Sequence, residues 1–419
     1  MRTSKEMPYH IGLVLRFYPS GYQKHIVSLN AGAQRKVYNT LVAAGIELYR
    51  LGKVKTYLKP VADRMDYLDS VRSSAMGIKT ALPFLADKNI DSCVVGNGIR
   101  MYKAAWNGWR KNPMTGIPQF HKKSYAVSYQ TDNHYTKDSV GVNGGSSYFC
   151  KKNKYFNVPK LGKVRISGSE KMIERVLNHK GDTRIATITV SRDATGRYYL
   201  SLAIASETPF AEKLPCTGNS VGIDMNLSNF FADSDGNIIP NPKYRRASAS
   251  KLRKAERKLS LKAVRLKKEG RELSTASNYQ KLCREVADMH RYASCRMDDF
   301  LHVLSKKTVK NHDLIFTENL KVRNMLHNSR LAFSISDVSW GRFFGMLAYK
   351  SDMYGRTYLK VPPHLTTQTC SCCGHVCRGS EHIRLGIEQW ICPECGTYLV
   401  RDTNAAENIK ARGLAMMGL

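Results

Sequence analysis

The chain has 419 residues, in which 66 lysines and arginines outweigh 34 aspartates and glutamates and give a net charge of +32. Such an excess destabilises a compact fold unless a polyanion neutralises it, so we expect a nucleic-acid partner, with an anionic membrane surface as the weaker alternative. No apolar run reaches the ~18 residues of a membrane span, and the N-terminal residues lack the apolar core of a signal peptide. These features argue against a membrane or secreted protein and predict a soluble, cytoplasmic one whose cysteines are reduced.

The first half of the sequence predicts β-structure that a helical segment interrupts. Residues 9–18 alternate as a strand does, and residues 22–110 repeat apolar side chains at three- and four-residue intervals, as helices do. Residues 125–206 are again β-like, and residues 185–191 and 198–204 form a predicted hairpin around a turn-forming loop. This order predicts a β-barrel with an inserted helical domain.

Aromatic and basic residues are interleaved between the helical and β-like segments, which is typical of surfaces that stack bases and hold phosphates. Lys122 and Lys123 are the predicted phosphate contacts. Trp106 and Trp109 lie three residues apart on a predicted helix, and for them a place in the helix core is the better interpretation.

The second half alternates strands and helices. It opens with a buried strand at 221–224 and a hairpin partner at 230–233. The next predicted elements are a helical pair over 243–309 with a break near Gly270 and Ser274, a strand at 313–320, a helix at 336–355, a strand at 356–361 and a last helix at 404–414.

The first arm of the helical pair is strongly basic. From Lys243 to Glu272 it carries thirteen lysines and arginines against three glutamates. A solvated helix face usually mixes both signs, so we interpret this arm as a phosphate-binding surface. Its predicted nucleic-acid contacts are Lys243, Arg245, Arg246, Arg253, Lys254, Arg257 and Lys258.

Four cysteines near the C-terminus form two CxxC pairs separated by 18 residues, namely Cys370 with Cys373 and Cys392 with Cys395. This spacing supplies four thiolates to one Zn²⁺ in a ribbon over 366–397. Cys372 and Cys377 are further thiols near the first pair, so a shifted ligand register is the alternative. Because four thiolates leave no open position for water, we expect the zinc to be structural.

Three carboxylates lie at the predicted ends of elements. Asp224 ends a strand, Glu318 ends another, and Asp402 opens the last helix. Alone, Asp224 could cap a turn, Glu318 could pair with a cation, and Asp402 could cap its helix. Together they could hold two Mg²⁺ ions about 4 Å apart, which is the arrangement that hydrolyses phosphodiesters.

The order and spacing of several motifs in the second half resemble the split RuvC-type nuclease of TnpB, the insertion-sequence-encoded RNA-guided nuclease related to type V CRISPR effectors. The matching stretches are Gly222–Asp224, Asn241–Tyr244, Phe316–Leu320, Arg330–Gly341, Thr367–Gly374, Trp390–Gly396 and Arg401–Ala406. The first half resembles the family more loosely, through Leu15–Pro19, Gly116–Lys123 and Pro159–Gly162.

The resemblance implies an α+β multidomain fold. Its implied parts are a wedge-type β-barrel over 1–25 and 125–215, a helical recognition lobe over 26–124, an RNase H-like nuclease domain over 216–365 and 398–419, and an inserted zinc ribbon over 366–397.

The implied activity is that of an RNA-guided, Mg²⁺-dependent DNA endonuclease that hydrolyses phosphodiesters beside a short transposon-associated motif. The implied catalytic residues are Asp224, Glu318 and Asp402, and the implied partners are a guide RNA and double-stranded target DNA, bound by a single copy of the chain in a prokaryotic ribonucleoprotein. Guide pairing would choose the sequence and the protein would hold the duplex. A compact type V CRISPR effector is the near alternative, and a non-cleaving RNA-guided repressor or a strand-transferring transposase is the more distant one.

Two positions depart from the family pattern. The family often has Asp-x-Gly after the first strand, whereas Asn226 stands here in place of the glycine. Because Asn adopts the left-handed conformation more readily than most residues, we expect the turn to survive. Val400 and Arg401 precede Asp402 where relatives often carry another polar or acidic residue, which bears on the fine geometry of the metals.

Overall fold

The structure is a computed structural model that describes residues 4, 6–54, 58–136, 139, 141–384 and 386–419. The chain divides into two compact units, Met1–Phe210 and Ala211–Leu419. Among the described residues, no helix is both long enough and apolar enough to cross a membrane.

The first unit combines strands with mainly N-terminal helices, as the sequence predicts. Its strands are β1 Tyr9–Tyr18, β2 Val127–Asp132, β3 Phe149–Cys150, β4 Tyr155–Val158, β5 Gly162–Ser167, β6 Thr183–Arg192 and β7 Tyr198–Ser206. Its helices are α1 Gly21–Leu51, α2 Lys59–Ser73, α3 Ala75–Ala81, α4 Cys93–Lys111 and α5 Glu170–Leu177. Helix α5 lies inside the region that the sequence predicts to be β-structure, and that part of the prediction is wrong.

Local sequence signals fix where α1 begins. The Ser20 side chain accepts a hydrogen bond from the Gln23 backbone N–H, and the Gln23 side chain accepts one from the Ser20 N–H. This reciprocal pair satisfies two N–H groups that a helix start otherwise leaves without partners. The predicted apolar stripe then buries Val37, Tyr38 and Leu41.

The seven strands of the first unit form one antiparallel sheet in the order β2-β6-β7-β1-β5-β4-β3. The predicted hairpin of β6 and β7 is confirmed. An isolated antiparallel bridge between Tyr135 and Gly145 links the segments that leave β2 and enter β3 at the two edges. The unit is therefore a curled sheet that carries helices.

The second unit has most of the predicted elements in the predicted order, together with short ones that the sequence does not predict. Its strands are β8 Ser220–Met225, β9 Asn229–Asp233, β10 Ile238–Pro240, β11 Leu314–Glu318, β12 Thr357–Val361, β13 Gln389–Ile391 and β14 Tyr398–Val400. Its helices are α6 Tyr244–Lys268, α7 Ser277–Asn311, α8 Val322–Met325, α9 Ala332–Val338, α10 Trp340–Tyr354 and α11 Arg401–Met416. The predicted single helix over 336–355 is two helices, because Ser339 takes a left-handed conformation (φ 59°) between α9 and α10.

A five-stranded sheet in the order β10-β9-β8-β11-β12 organises this unit. Strands β8, β11 and β12 run parallel, and β9 and β10 add antiparallel neighbours at one side. On one face, Val221, Ile223 and Ile315 pack with side chains of α7 and α10. On the other face, Phe316 packs with Ile409 of α11. Parallel strands place their carboxyl ends at one edge of a sheet, and that edge carries the predicted acids.

Candidate active site and metal centre

Two of the three predicted acids stand at the carboxyl ends of adjacent parallel strands. Thr317 of β11 pairs with Ile223 of β8, so Glu318 and Asp224 each occupy the next position along their strands. Both side chains are buried, with 8% of each residue exposed. The prediction that both acids lie at strand ends is confirmed.

Helix α11 brings the third acid to this edge. Asp402 lies in the first turn of α11, after Val400 at the N-cap, so Asp402 is not the cap itself. The helix packs on β8, and Gly222 makes this approach possible, because a Cβ there would lie 2.0 Å from the Ala406 carbonyl oxygen.

The three carboxylates interact electrostatically. Burial raises the pKa of Asp224 well above its usual value, and the negative charges of Glu318 and Asp402 raise it further, against the opposing effect of Arg401. Burial also raises the pKa of Glu318. Like charges held together out of water favour a bound cation, and carboxylate oxygens are the ligands that Mg²⁺ and Mn²⁺ prefer. The donor set therefore fits divalent metal ions.

Hydrogen bonds orient two of these carboxylates. Asn226 Nδ2 donates to Asp402 Oδ2, and the Ser228 N–H donates to Asn226 Oδ1 at 2.8 Å. Thr366 Oγ1 donates to Glu318 Oε1 at 2.6 Å. The turn after β8 survives the replacement of glycine, although the described residues with positive φ do not include Asn226. What the asparagine adds is a side-chain amide that donates a hydrogen bond to Asp402.

The four predicted zinc ligands converge in the second unit. The Sγ atoms of Cys370 and Cys395 are 3.7 Å apart, as are those of Cys373 and Cys392, and all four lie within 4.8 Å of one another. Four thiolates at the usual Zn–S length of about 2.3 Å lie about 3.8 Å apart in a tetrahedron, so the group fits a zinc ion.

The two additional cysteines of the ribbon lie outside this group. Cys372 is exposed, and Cys377 is buried in a separate cluster with His375 and Glu381. In that cluster, His375 Nε2 lies 2.9 Å from Glu381 Oε2. The geometry thus supports the ligand register given by the two CxxC pairs.

The three carboxylates are not among the described groups whose ligand atoms all lie within 4.8 Å, so they are spaced more widely than the thiols.

Comparisons with known proteins agree with this arrangement. A family model described as "Probable transposase" (OrfB_IS605) matches residues 201–329, and one described as "Cas12f1-like, TNB domain" matches residues 340–409. A TnpB-like protein of Acanthamoeba polyphaga mimivirus is 28% identical over 239 residues, which cover 54% of this chain and 43% of that protein. A Streptomyces pristinaespiralis protein with the provisional name RNA-guided DNA endonuclease is 30% identical over 403 residues, which cover 96% of this chain and 88% of that protein. The chain belongs to the TnpB family.

Two further comparisons cover the TnpB-family chain nearly end to end. An Escherichia coli K12 protein with the provisional name RNA-guided DNA endonuclease InsQ is 26% identical over 416 residues, which cover 95% of this chain and 91% of that protein. The protein in a Cas12f1–sgRNA–target DNA complex matches 96% of this chain and 98% of its own length, with a TM-score of 0.55 and 14% identity. At that identity the second match shows the fold alone.

The predicted nucleic-acid contacts of this TnpB-family protein lie on two surfaces. On α6 and at its N-cap, all seven predicted side chains are exposed. Arg245 donates to Ser336 Oγ at 2.6 Å and Arg246 to Ser334 Oγ at 2.9 Å, so these two also attach α6 to α9. Further along α6, Arg253, Lys254, Arg257 and Lys258 have no ion pair among the described residues.

Lys122 and Lys123 line an open cavity of about 560 Å³ in the first unit. Arg35 of α1 and Arg192 of β6 also line it, together with polar side chains. The cavity has a fixed wall, because the Gln130 backbone of β2 donates to Gln34 of α1. Trp106 is buried, as predicted, whereas Trp109 is only half-buried.

Several residues of these sites have weak sequence signals or none. Arg35 and Arg192 join the cavity from elements far apart in the chain. Thr366 lies 48 residues from the glutamate that it contacts. For Asn404 and Asn408 the sequence does carry a signal, because two asparagines four residues apart in a predicted helix lie on one face although asparagine is a poor helix former.

Proposed function

We propose that this chain is an RNA-guided DNA endonuclease in which Asp224, Glu318 and Asp402 hold two catalytic Mg²⁺ ions. The observation that carries the proposal is the convergence of three carboxylates, from two parallel strands and one helix, at a single edge of the sheet in the second unit. The matching relatives, whose names refer to RNA-guided DNA endonucleases, support the same reaction.

The chain's own groups would bind and orient the metals. Magnesium held by these carboxylates would supply positive charge at the scissile phosphodiester and would make a water molecule acidic enough to act as a nucleophile at neutral pH. Thr366 holds one oxygen of Glu318, and Asn226 holds one oxygen of Asp402.

The ribbon over 366–397 would hold a structural zinc through Cys370, Cys373, Cys392 and Cys395. Four thiolates complete a tetrahedral shell, so this ion would bind no substrate water. The ion would stabilise a segment that is too small to fold on an apolar core alone. The buried cluster there is small and consists of Cys370, Cys392 and Leu399.

The basic surfaces would bind guide RNA and target DNA. Each phosphate contact releases counterions and adds affinity that does not depend on sequence, so the excess of positive charge suits a protein that holds a structured RNA and two DNA strands. We assign this role to the exposed cations of α6 and to Lys122 and Lys123. Residues 1–25 and 125–215, all but the last five of which belong to the first unit, would form the wedge barrel, and residues 26–124 would form its recognition lobe, in a ribonucleoprotein with one copy of the chain.

Asp224→Ala tests the assignment. The protein is purified with its RNA, and cleavage of a plasmid carrying the guide-complementary sequence is followed with added Mg²⁺. We expect the variant to keep the RNA and to lose cleavage by at least about 10²–10³-fold, the scale of losing one electrostatic element of a transition-state site. Asp299→Ala removes an exposed carboxylate of α7 and is the matched control. Normal cleavage by Asp224→Ala would contradict the proposed site.

A compact type V CRISPR effector is the second candidate, favoured by the Cas12f1-like match over 340–409 and by the shared fold. The co-purified RNA separates the two candidates. A transcript of a transposon end supports the TnpB type, whereas a spacer–repeat transcript supports the CRISPR type.

A further inference from the structure

The Glu318 carboxylate is held from outside its own strand. Thr366 Oγ1 donates to Glu318 Oε1 at 2.6 Å, and the two residues are only 2% and 8% exposed. A distance this short is typical of a hydroxyl that donates to an ionised carboxylate. The other contact of this hydroxyl, to the Pro363 carbonyl, is longer at 3.4 Å. The bond therefore fixes one carboxylate oxygen and restricts a side chain that otherwise has several rotamers.

Helix α11 holds Thr366 in turn. Asn408 Nδ2 donates to the Thr366 carbonyl at 2.9 Å and to the Thr369 carbonyl at 2.7 Å. Asn404 Nδ2 also donates to the Thr369 carbonyl, at 2.8 Å. The two asparagines are buried on one face of the helix, four residues apart. Buried amides whose donors are satisfied in this way hold a backbone segment firmly.

The same contacts reach the zinc ligands. Asn404 Oδ1 accepts a hydrogen bond from the Ser371 N–H at 2.8 Å, and Ser371 lies between Cys370 and Cys373. Segment 366–371 therefore joins the first pair of thiols to the Glu318 carboxylate. Helix α11 supplies Asp402 from its first turn and holds this segment from its second.

We infer that Thr366 is a positioning residue for Glu318 and that Asn404 and Asn408 connect this position to the first pair of zinc ligands. The assignment of metal binding to Glu318 rests on the proposed function. Thr366 touches neither substrate nor metal in this scheme, and its effect passes through the carboxylate. Partners of this kind, which orient a metal ligand, typically change metal affinity or activity by about 10–100-fold when they are removed.

Thr366→Val tests the inference, because valine keeps the branched shape and removes the hydroxyl. We expect the dissociation constant of Mn²⁺, measured by calorimetry on the full-length zinc-loaded protein, to rise about tenfold. In the ribonucleoprotein, the Mg²⁺ concentration for half-maximal cleavage should rise by a similar factor, while the rate at saturating Mg²⁺ changes less. Thr366→Ser restores the hydroxyl and should return both values to within about twofold of the wild type.

Thr308→Val is the matched control. Thr308 is a buried threonine of the same unit whose hydroxyl donates to its own helix at the Leu304 carbonyl, and we expect unchanged metal binding. If Thr366→Val does not fold, Asn404→Ala decides the question, since it cuts the connection without touching a carboxylate and should weaken Mn²⁺ binding about threefold.

Wild-type Mn²⁺ affinity and Mg²⁺ dependence in Thr366→Val, or in Asn404→Ala where the first variant fails to fold, would overturn the inference. That failure is distinct from a failure of the proposed function. A normally cleaving Asp224→Ala variant refutes the metal site itself, whereas neutral Thr366 variants beside an inactive Asp224→Ala refute only the positioning role.

Discussion

The carboxylate edge, which is the sheet edge with Asp224, Glu318 and Asp402, and the ribbon over 366–397 with its four thiols lie in the same unit of the chain. The two sites are built in opposite ways. The four thiols come from two short motifs, and their sulfur atoms lie within 4.8 Å of one another. The three carboxylates come from β8, β11 and α11, and they are close enough to raise the pKa of Asp224 but more widely spaced. A site made by local motifs is fixed by a single ion, whereas a site made by remote segments depends on the packing of the whole sheet.

Loss of a proposed zinc ligand should have the largest effect on stability, because it would remove the ion that we propose to hold the ribbon. Cys370→Ser should lower the zinc content measured by mass spectrometry and the melting temperature of the protein. Cleavage should fall, while the phosphodiester that is cut stays the same. Cys372→Ser is the control, since this exposed thiol of the same segment lies outside the four-sulfur group. Full zinc content and stability in Cys370→Ser would show that the thiol cluster is not the zinc site.

The next effect tests the dependence of the carboxylate edge on packing. Gly222→Ala places a Cβ 2.0 Å from the Ala406 carbonyl oxygen, so α11 must shift away from β8. We expect a loss of unfolding free energy of about 1–3 kcal/mol, the usual cost of overpacking. Cleavage should also fall, because Asp402 moves with the helix. The measurements are chemical denaturation and plasmid cleavage.

Gly12→Ala is the control for this substitution. Gly12 is also a strand glycine, but nothing lies within 4 Å of its added Cβ. Its stability and cleavage should stay near the wild-type values. If the two substitutions had equal effects, the close approach of α11 would not be the reason why position 222 needs glycine.

The smallest effect on stability concerns the charge of Asp224. Since its pKa is raised in the folded protein, the ionised carboxylate destabilises the fold when magnesium is absent. Asp224→Asn should therefore raise the melting temperature by a few degrees at neutral pH in buffer without added magnesium, while abolishing cleavage. Added Mg²⁺ should stabilise the wild type and leave the variant unchanged.

The pH dependence of this difference in melting temperature also follows from the raised pKa of Asp224. The destabilising charge is fully present above the raised folded-state pKa and disappears as the pH falls towards the unfolded value of about 3.9. The gap in melting temperature between Asp224→Asn and the wild type should thus narrow in acid. A gap that is constant with pH would show that the asparagine acts through packing rather than through charge.

Periodicity predicted most of the elements of the fold. The hairpin of β6 and β7, the helical pair α6–α7 and the strand ends at Asp224 and Glu318 all follow from patterns within a few residues. The break at Ser339 was missed, because neither glycine nor proline marks this left-handed residue. Helix α5 was missed because eight residues between strands give a weak periodic signal.

For the sites, the two CxxC pairs predict the thiol register, and the grouping of their sulfur atoms in the structure supports it over the register that would use Cys372 or Cys377. The sequence also predicts which acids end their strands. That these acids meet, that Asn226 contacts Asp402 and that Thr366 connects the ribbon to Glu318 became visible in the folded chain. Hydrogen bonds and charge repulsion depend on distances in space, and distances between remote segments are set by how the strands pair and how α11 packs on β8.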